Sequence, residues 1–180
     1  MIDRSNLEAD PVDVARHLLG CVLVSDIGPP TAIRLTEVEA YAPDDPASHS
    51  FGGRTERNQS MFERAGTLYV YRSYGIHWCA NVSTGPVGTG AAVLLRGGVP
   101  IDGLLTMIER RGRQEHLADG PGKLCQALAI DRALDGVDLL DGTGLVRLEM
   151  GEPPVAITAT PRIGISKAID APWRFMAQDA

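Results

Sequence analysis

Hydrophobic and polar positions change period several times along this chain. Asp10-Pro11, followed by Val12, Ala15, Leu18 and Leu19 and closed by Gly20, combines a capping side chain, a first-turn proline and a terminating glycine, which predicts a short helix. Cys21 to Val24 reads as a strand. Alternation over Ile33 to Tyr41 predicts a second, placing Leu35, Glu37, Glu39 and Tyr41 on one face and Thr36, Val38 and Ala40 on the other. Residues 42–66 are polar, rich in Gly, Pro and Asp, and show no sustained period. They predict a long loop, and loops of that length inside compact domains are usually functional.

Two apolar and aromatic runs, Thr67 to Arg72 and Ile76 to Ser83, flank Ser73-Tyr74-Gly75 and predict a β-hairpin with Tyr74 at its tip. Ala91 to Arg96 predicts a buried strand, Asp102 to Arg111 a helix, and Gly120-Pro121 the start of a helix running to Ile130. Leu145 to Met150, Val155 to Ala159 and Arg162 to Ile165 predict short closing strands. Helices scattered among hairpins, without a regular βαβ repeat, imply one α+β domain over residues 1–180 with a largely antiparallel sheet.

Composition narrows the function classes. Neither a signal peptide nor an apolar run of about 18 residues is present, so a cytoplasmic protein without membrane insertion is expected. Cys21, Cys79 and Cys125 are far apart and unpaired in sequence, which argues for buried thiols and against a disulfide framework, a zinc site or an iron–sulfur cluster. A net charge of -6 is poorly suited to a nucleic-acid partner, yet its distribution is uneven. Residues 54–113 hold 8 basic against 4 acidic side chains, and all eight are arginines, the residue suited to bidentate phosphate contacts. Scattered arginines equally suit a solvated mixed-charge face.

Chemistry-bearing residues concentrate in one short region. All four tyrosines, at 41, 69, 71 and 74, fall there together with Glu37, Glu39 and His49. Glu37 and Glu39 fit either a solvent-exposed strand face or a partly apolar cleft that tunes a carboxylate. Tyr69 and Tyr71 share a face, as cross-strand packing or ligand stacking would require. An aromatic at a hairpin tip gains little from a core, whereas an aromatic wedge in a base stack distorts duplexes, so Tyr74 is the stronger signal. His49 fits a capped loop histidine or a group reading a ligand edge. Gly120-Pro121-Gly122-Lys123 offers backbone N–H groups and a cation to an anion, but lacks P-loop spacing.

Taken together, Thr36-Glu37-Val38-Glu39-Ala40-Tyr41, Ala47-Ser48-His49-Ser50, Gly66-Thr67-Leu68-Tyr69-Val70-Tyr71, Tyr74-Gly75, Asn81, Val93-Leu94-Leu95-Arg96 and Gly120 to Leu128 resemble the alkyladenine (3-methyladenine) DNA glycosylase family, in the family's order. The likeness extends to Pro172-Trp173-Arg174-Phe175. It implies a curved antiparallel sheet with flanking helices and a protruding β-hairpin that inserts into DNA. By the same resemblance, Glu39 is the general base, Arg96 orients the catalytic water, and Tyr41, Tyr71 and His49 enclose the flipped base. Asn81 forms the pocket floor that disfavours guanine's amine, Tyr74 intercalates, and Arg54, Arg57 and Lys123 meet the DNA backbone. The implied partner is double-stranded DNA containing alkylated purines, bound by a monomer that uses no metal or cofactor. His77 and the glycines from Gly85 to Gly90 depart from the family pattern.

The chemistry agrees with that resemblance. An alkylated purine already carries positive charge and leaves without protonation, so one carboxylate to activate water suffices. Aromatic walls add a cation–π preference of about 0.5–2 kcal/mol for the charged base. No lysine precedes Lys123, leaving no Schiff-base nucleophile near Glu39 in sequence.

Overall fold

Asp10 accepts a hydrogen bond from the Val12 N–H, and Pro11 fills the first turn, so helix α1 (Pro11–Leu18) starts where its caps predict. The structure, a computed structural model, describes residues 2–178. Strands β1 (Val22–Ser25), β2 (Thr31–Tyr41), β3 (Leu68–Ser73), β4 (His77–Thr84) and β5 (Ala91–Asp102) follow, then helices α2 (Leu104–Arg111) and α3 (Pro121–Ala127). Strands β6 (Val146–Glu149), β7 (Ala156–Thr160) and β8 (Arg174–Gln178) come last, and short 3-10 turns lie at Arg4–Leu7, Gln59–Phe62 and Arg132–Leu134. The fold is α+β. All strand pairs are antiparallel, in the order β3-β4-β5-β2-β1-β6, with β8 also pairing β2 and carrying β7 at its other edge.

Strand β2 organises the sheet because it changes neighbour along one edge. Its first residues pair with β1, and Glu37 to Glu39 pair with β8. Opposite β5 the register slips three times, first between Ala32 and Ile33 and then twice more near the middle of the strand, with Leu35 facing Gly98, Glu37 facing Gly97 and Val38 facing Leu95. Thr36 is therefore the extra residue on β2 and Arg96 the extra residue on β5. Bulges of this kind bend a sheet and re-aim side chains. A Cβ on Gly98 would lie 2.7 Å from the Arg34 carbonyl oxygen, so glycine is what permits the close approach there.

The slip corrects one expectation. Leu35 does not share a face with Glu37, Glu39 and Tyr41. It belongs to the apolar core with Val38 and Ala40, because the bulge shifts the alternation by one residue. Leu68 and Val70, Ala80 and Val82, and Val93 and Leu95 extend that core across β3, β4 and β5, where α1 and α3 cover it.

Other boundaries also move. Asp102 ends β5, and α2 begins only after Gly103 in a left-handed conformation. Helix α3 stops at Ala127, three residues short of Ile130, where Ala129 turns left-handed and the Ile130 N–H reaches the Cys125 carbonyl. Arg162 to Ile165 is not a strand; the closing strand is β8. The long loop 42–66 is as predicted apart from one short helical turn, Gln59–Phe62.

Candidate active site

Tyr69 and Tyr71 on β3, Cys79 and Asn81 on β4, and Ala92, Leu94 and Arg96 on β5 alternate with the core residues and so point the other way. With Tyr41 of β2 they line a cavity of about 610 Å³. The loop segment Pro46 to His49 and the strap Ile163 to Lys167 close its sides, with Arg57, Tyr74 and Pro121 around it. Tyr41, His49, Tyr71, Tyr74, Asn81, Arg57 and Arg96 are thus brought to one place. Lys123 and Arg54 are not among the lining residues. Lys123 pairs with Asp119 at 2.9 Å and Arg54 with Glu63 at 3.0 Å.

Glu39 lies immediately behind the lining and has no exposed side-chain surface. A carboxylate there must be partnered, since burying an unpaired charge costs several kcal/mol or more. Its partners come from three elements. The Tyr41 hydroxyl donates to Oε2 at 2.9 Å, the Ile163 N–H donates to Oε1 at 2.8 Å, and Arg96 Nη1 stands 3.4 Å from Oε2. Burial first, and then the Glu39 charge, push the Tyr41 hydroxyl far above its ordinary range, so it remains a donor. Glu37 sits nearer to solvent, accepting from Arg96 Nε at 2.9 Å and Arg174 Nε at 2.6 Å. Burial works against the Arg96 charge, but Glu39 and Glu37 outweigh it and hold the guanidinium protonated.

The aromatic wall is tied together by ring contacts and hydrogen bonds. Tyr69 and Tyr71 stack at 5.6 Å, and the His49 ring meets Tyr71 edge-on at 4.5 Å. His49 Nδ1 lies 3.0 Å from the Tyr69 hydroxyl, and the His49 carbonyl accepts from Asn58 Nδ2 at 2.8 Å. Asn58 also binds the Gly53 carbonyl and the Thr55 N–H, so one buried side chain folds the loop that presents His49. Burial, with the nearby Arg57 charge, lowers the His49 pKa and favours the neutral ring. Asn81 donates to the Tyr69 carbonyl at 3.0 Å, which fixes its amide among the residues lining the cavity.

Tyr74 contrasts with all of these. It is 88% exposed, adopts a left-handed backbone (φ 48), and is followed by exposed Gly75 and Ile76.

Sequence reasoning missed three contributors. Ile163 supplies the N–H to Glu39, Arg174 shares Glu37 with Arg96, and Arg162 stacks on Tyr41 at 4.6 Å. The arginine excess is also partly internal. Arg110 donates to the Ala127 carbonyl at 2.9 Å and Arg111 to the Leu117 carbonyl at 3.1 Å, so neither is simply a phosphate contact. Nor are the tyrosine faces all vacant for a cationic base, since Arg162 lies over Tyr41 and Arg57 lies 6.0 Å from the Tyr71 ring centre.

A family model described as methylpurine-DNA glycosylase matches residues 5–180. A protein of Methanoculleus marisnigri is 51% identical over 173 residues, covering 93% of this chain and 90% of its own. One of Agrobacterium fabrum is 49% identical over 176 residues, covering 97% and 87%. Both carry the provisional name 3-methyladenine DNA glycosylase. With a match across nearly its whole length, this chain belongs to the methylpurine-DNA glycosylase family.

Proposed function

We propose that the protein is a DNA glycosylase that turns alkylated purines such as 3-methyladenine out of duplex DNA and hydrolyses the N-glycosidic bond, leaving an abasic site. The observation that carries this reading is the buried Glu39 carboxylate set against an aromatic cavity large enough for a purine. Family membership and the relatives' names support it.

The flipped base enters the cavity between Tyr41 and Tyr71, with His49 and Asn81 reading its edges. A carboxylate offers about four lone-pair sites, and hydrogen bonds from Tyr41 and Ile163 occupy two of them, so acceptor capacity remains for a proton from water. Arg96, with Nη1 3.4 Å from Oε2, sets a positive charge beside the carboxylate. The alkylated purine departs on its own positive charge, the C1′–N bond breaks to an oxocarbenium-like state, and the water activated by Glu39 adds at C1′. Tyr74 enters the stack vacated by the flipped nucleotide. No metal enters any step.

A hydrolase acting on free nucleosides would have no use for an exposed aromatic on a hairpin tip, and a module that only binds modified bases would not need a buried carboxylate. The test is incubation with methylated duplex DNA and chromatographic identification of the released bases. Release of 3-methyladenine is expected. Release from free nucleosides alone, or tight binding with no release, would replace the proposal with one of those alternatives.

A further inference from the structure

Arg162 and Asp45 form an ion pair with no exposed side-chain surface on either partner. The guanidinium meets both Asp45 oxygens, with Nη2 donating to Oδ1 at 3.1 Å, and Nη1 also donates to the Ala40 carbonyl at 2.9 Å. Its plane lies over Tyr41 at 4.6 Å and over Trp173 at 5.1 Å. Of its nitrogens, Nε alone has no hydrogen-bond partner among the described residues. Stability does not require such an arrangement, because apolar residues often replace a buried ion pair without loss. What an apolar side chain would not provide is a fixed plane with directed donors.

Those donors and faces converge on the chemistry. Ala40 is the residue between Glu39 and Tyr41, and Arg162 is covalently joined to Ile163, whose N–H holds Glu39 at 2.8 Å. Arg162 does not line the cavity and touches Tyr41 from outside it. Resting on the glycosylase reading, we infer that Arg162 is a positioning residue: locked by Asp45, it sets the Tyr41 ring and the Ile163 main chain that together hold Glu39 in register with the flipped base.

Arg162→Lys keeps a charge for Asp45 and loses the plane. Single-turnover excision at saturating enzyme, the Kd for duplex DNA carrying a stable abasic-site analogue, and the unfolding midpoint are measured for it. The excision rate should fall about ten- to hundred-fold, the cost of a small misplacement, while the Kd holds. In a Tyr41→Leu background the same change should cost much less, because the ring it orients is gone. A purely structural role would lower the midpoint, leave the rate of the folded enzyme intact, and add in full to Tyr41→Leu; either rate result overturns the inference. If Arg162→Lys does not fold, Trp173→Leu decides, since it removes one face of the stack at a half-buried position. A slower rate at unchanged Kd supports positioning, and a wild-type rate contradicts it. Failure of the unaltered protein to release any base would defeat the proposed function instead.

Discussion

The same four strands, β2 to β5, build two faces of opposite character. One carries Val38, Ala40, Leu68, Val70, Ala80, Val82, Val93 and Leu95 against α1 and α3. The other carries Glu37, Glu39, Tyr41, Tyr69, Tyr71, Asn81 and Arg96. Burial alone does not separate them, because Glu39, Tyr69 and Asn81 are buried like the leucines, although Glu37, Tyr41, Tyr71 and Arg96 are half-buried. The difference is in how burial is made tolerable. On the core face apolar area is removed from water at about 25 cal/mol per Å² and needs no direction. On the site face each polar atom needs its own partner, so geometry is specified far more tightly there.

Substitutions should therefore separate the faces by what they damage. The largest effect falls on Glu39. Glu39→Gln keeps the shape and removes the base, and should slow single-turnover excision by about 10²- to 10⁴-fold with lesion-DNA binding retained. On the core face, Leu95→Ala should cost about 2–5 kcal/mol in denaturant unfolding, with the excision rate of the remaining folded enzyme little changed. A Leu95→Ala enzyme of full stability but no activity would erase the distinction.

Tyr74 extends the comparison beyond the cavity. Because its ring has almost no intramolecular packing to lose, Tyr74→Ala should leave the unfolding midpoint unchanged. It should weaken excision from duplex DNA and spare single-stranded substrate, where no stack must be opened. Equal losses on both would make Tyr74 a pocket residue. The smallest effects belong to the rim. Arg57→Ala should reduce the salt slope of duplex binding by about 1, and Arg54→Ala by less, since Glu63 already partly neutralises Arg54. Arg57→Ala should also let the His49 pKa rise toward its ordinary value, measured by NMR titration, because the Arg57 charge contributes to lowering it.

Much of this division was legible in the alternation of apolar and polar positions. The 67–83 hairpin, the Tyr74 tip and the strand carrying Glu39 and Tyr41 follow from period and turn residues. The bulges at Thr36 and Arg96 were not legible, since an added residue leaves no compositional mark while reversing the face of everything beyond it. Leu35 was misplaced for that reason. Strand β8 has no β-branched residue, and its pairing to β2 spans most of the chain. Arg162 to Ile165 has a strand-like composition, yet the Ile163 N–H is spent on a carboxylate rather than on a neighbouring strand. Long-range side-chain partnerships of this kind carry no local signal.

In the proposed mechanism two neighbouring carboxylates on one face have different roles, Glu39 as the base and Glu37 as a brace between Arg96 and Arg174. Single-turnover release of 3-methyladenine from duplex DNA, compared for Glu39→Gln and Glu37→Gln with lesion-DNA binding measured alongside, tests it most directly. Glu39→Gln should bind and fail to excise, losing about 10²- to 10⁴-fold, while Glu37→Gln retains much more of the rate. An active Glu39→Gln beside an inactive Glu37→Gln would contradict the assignment.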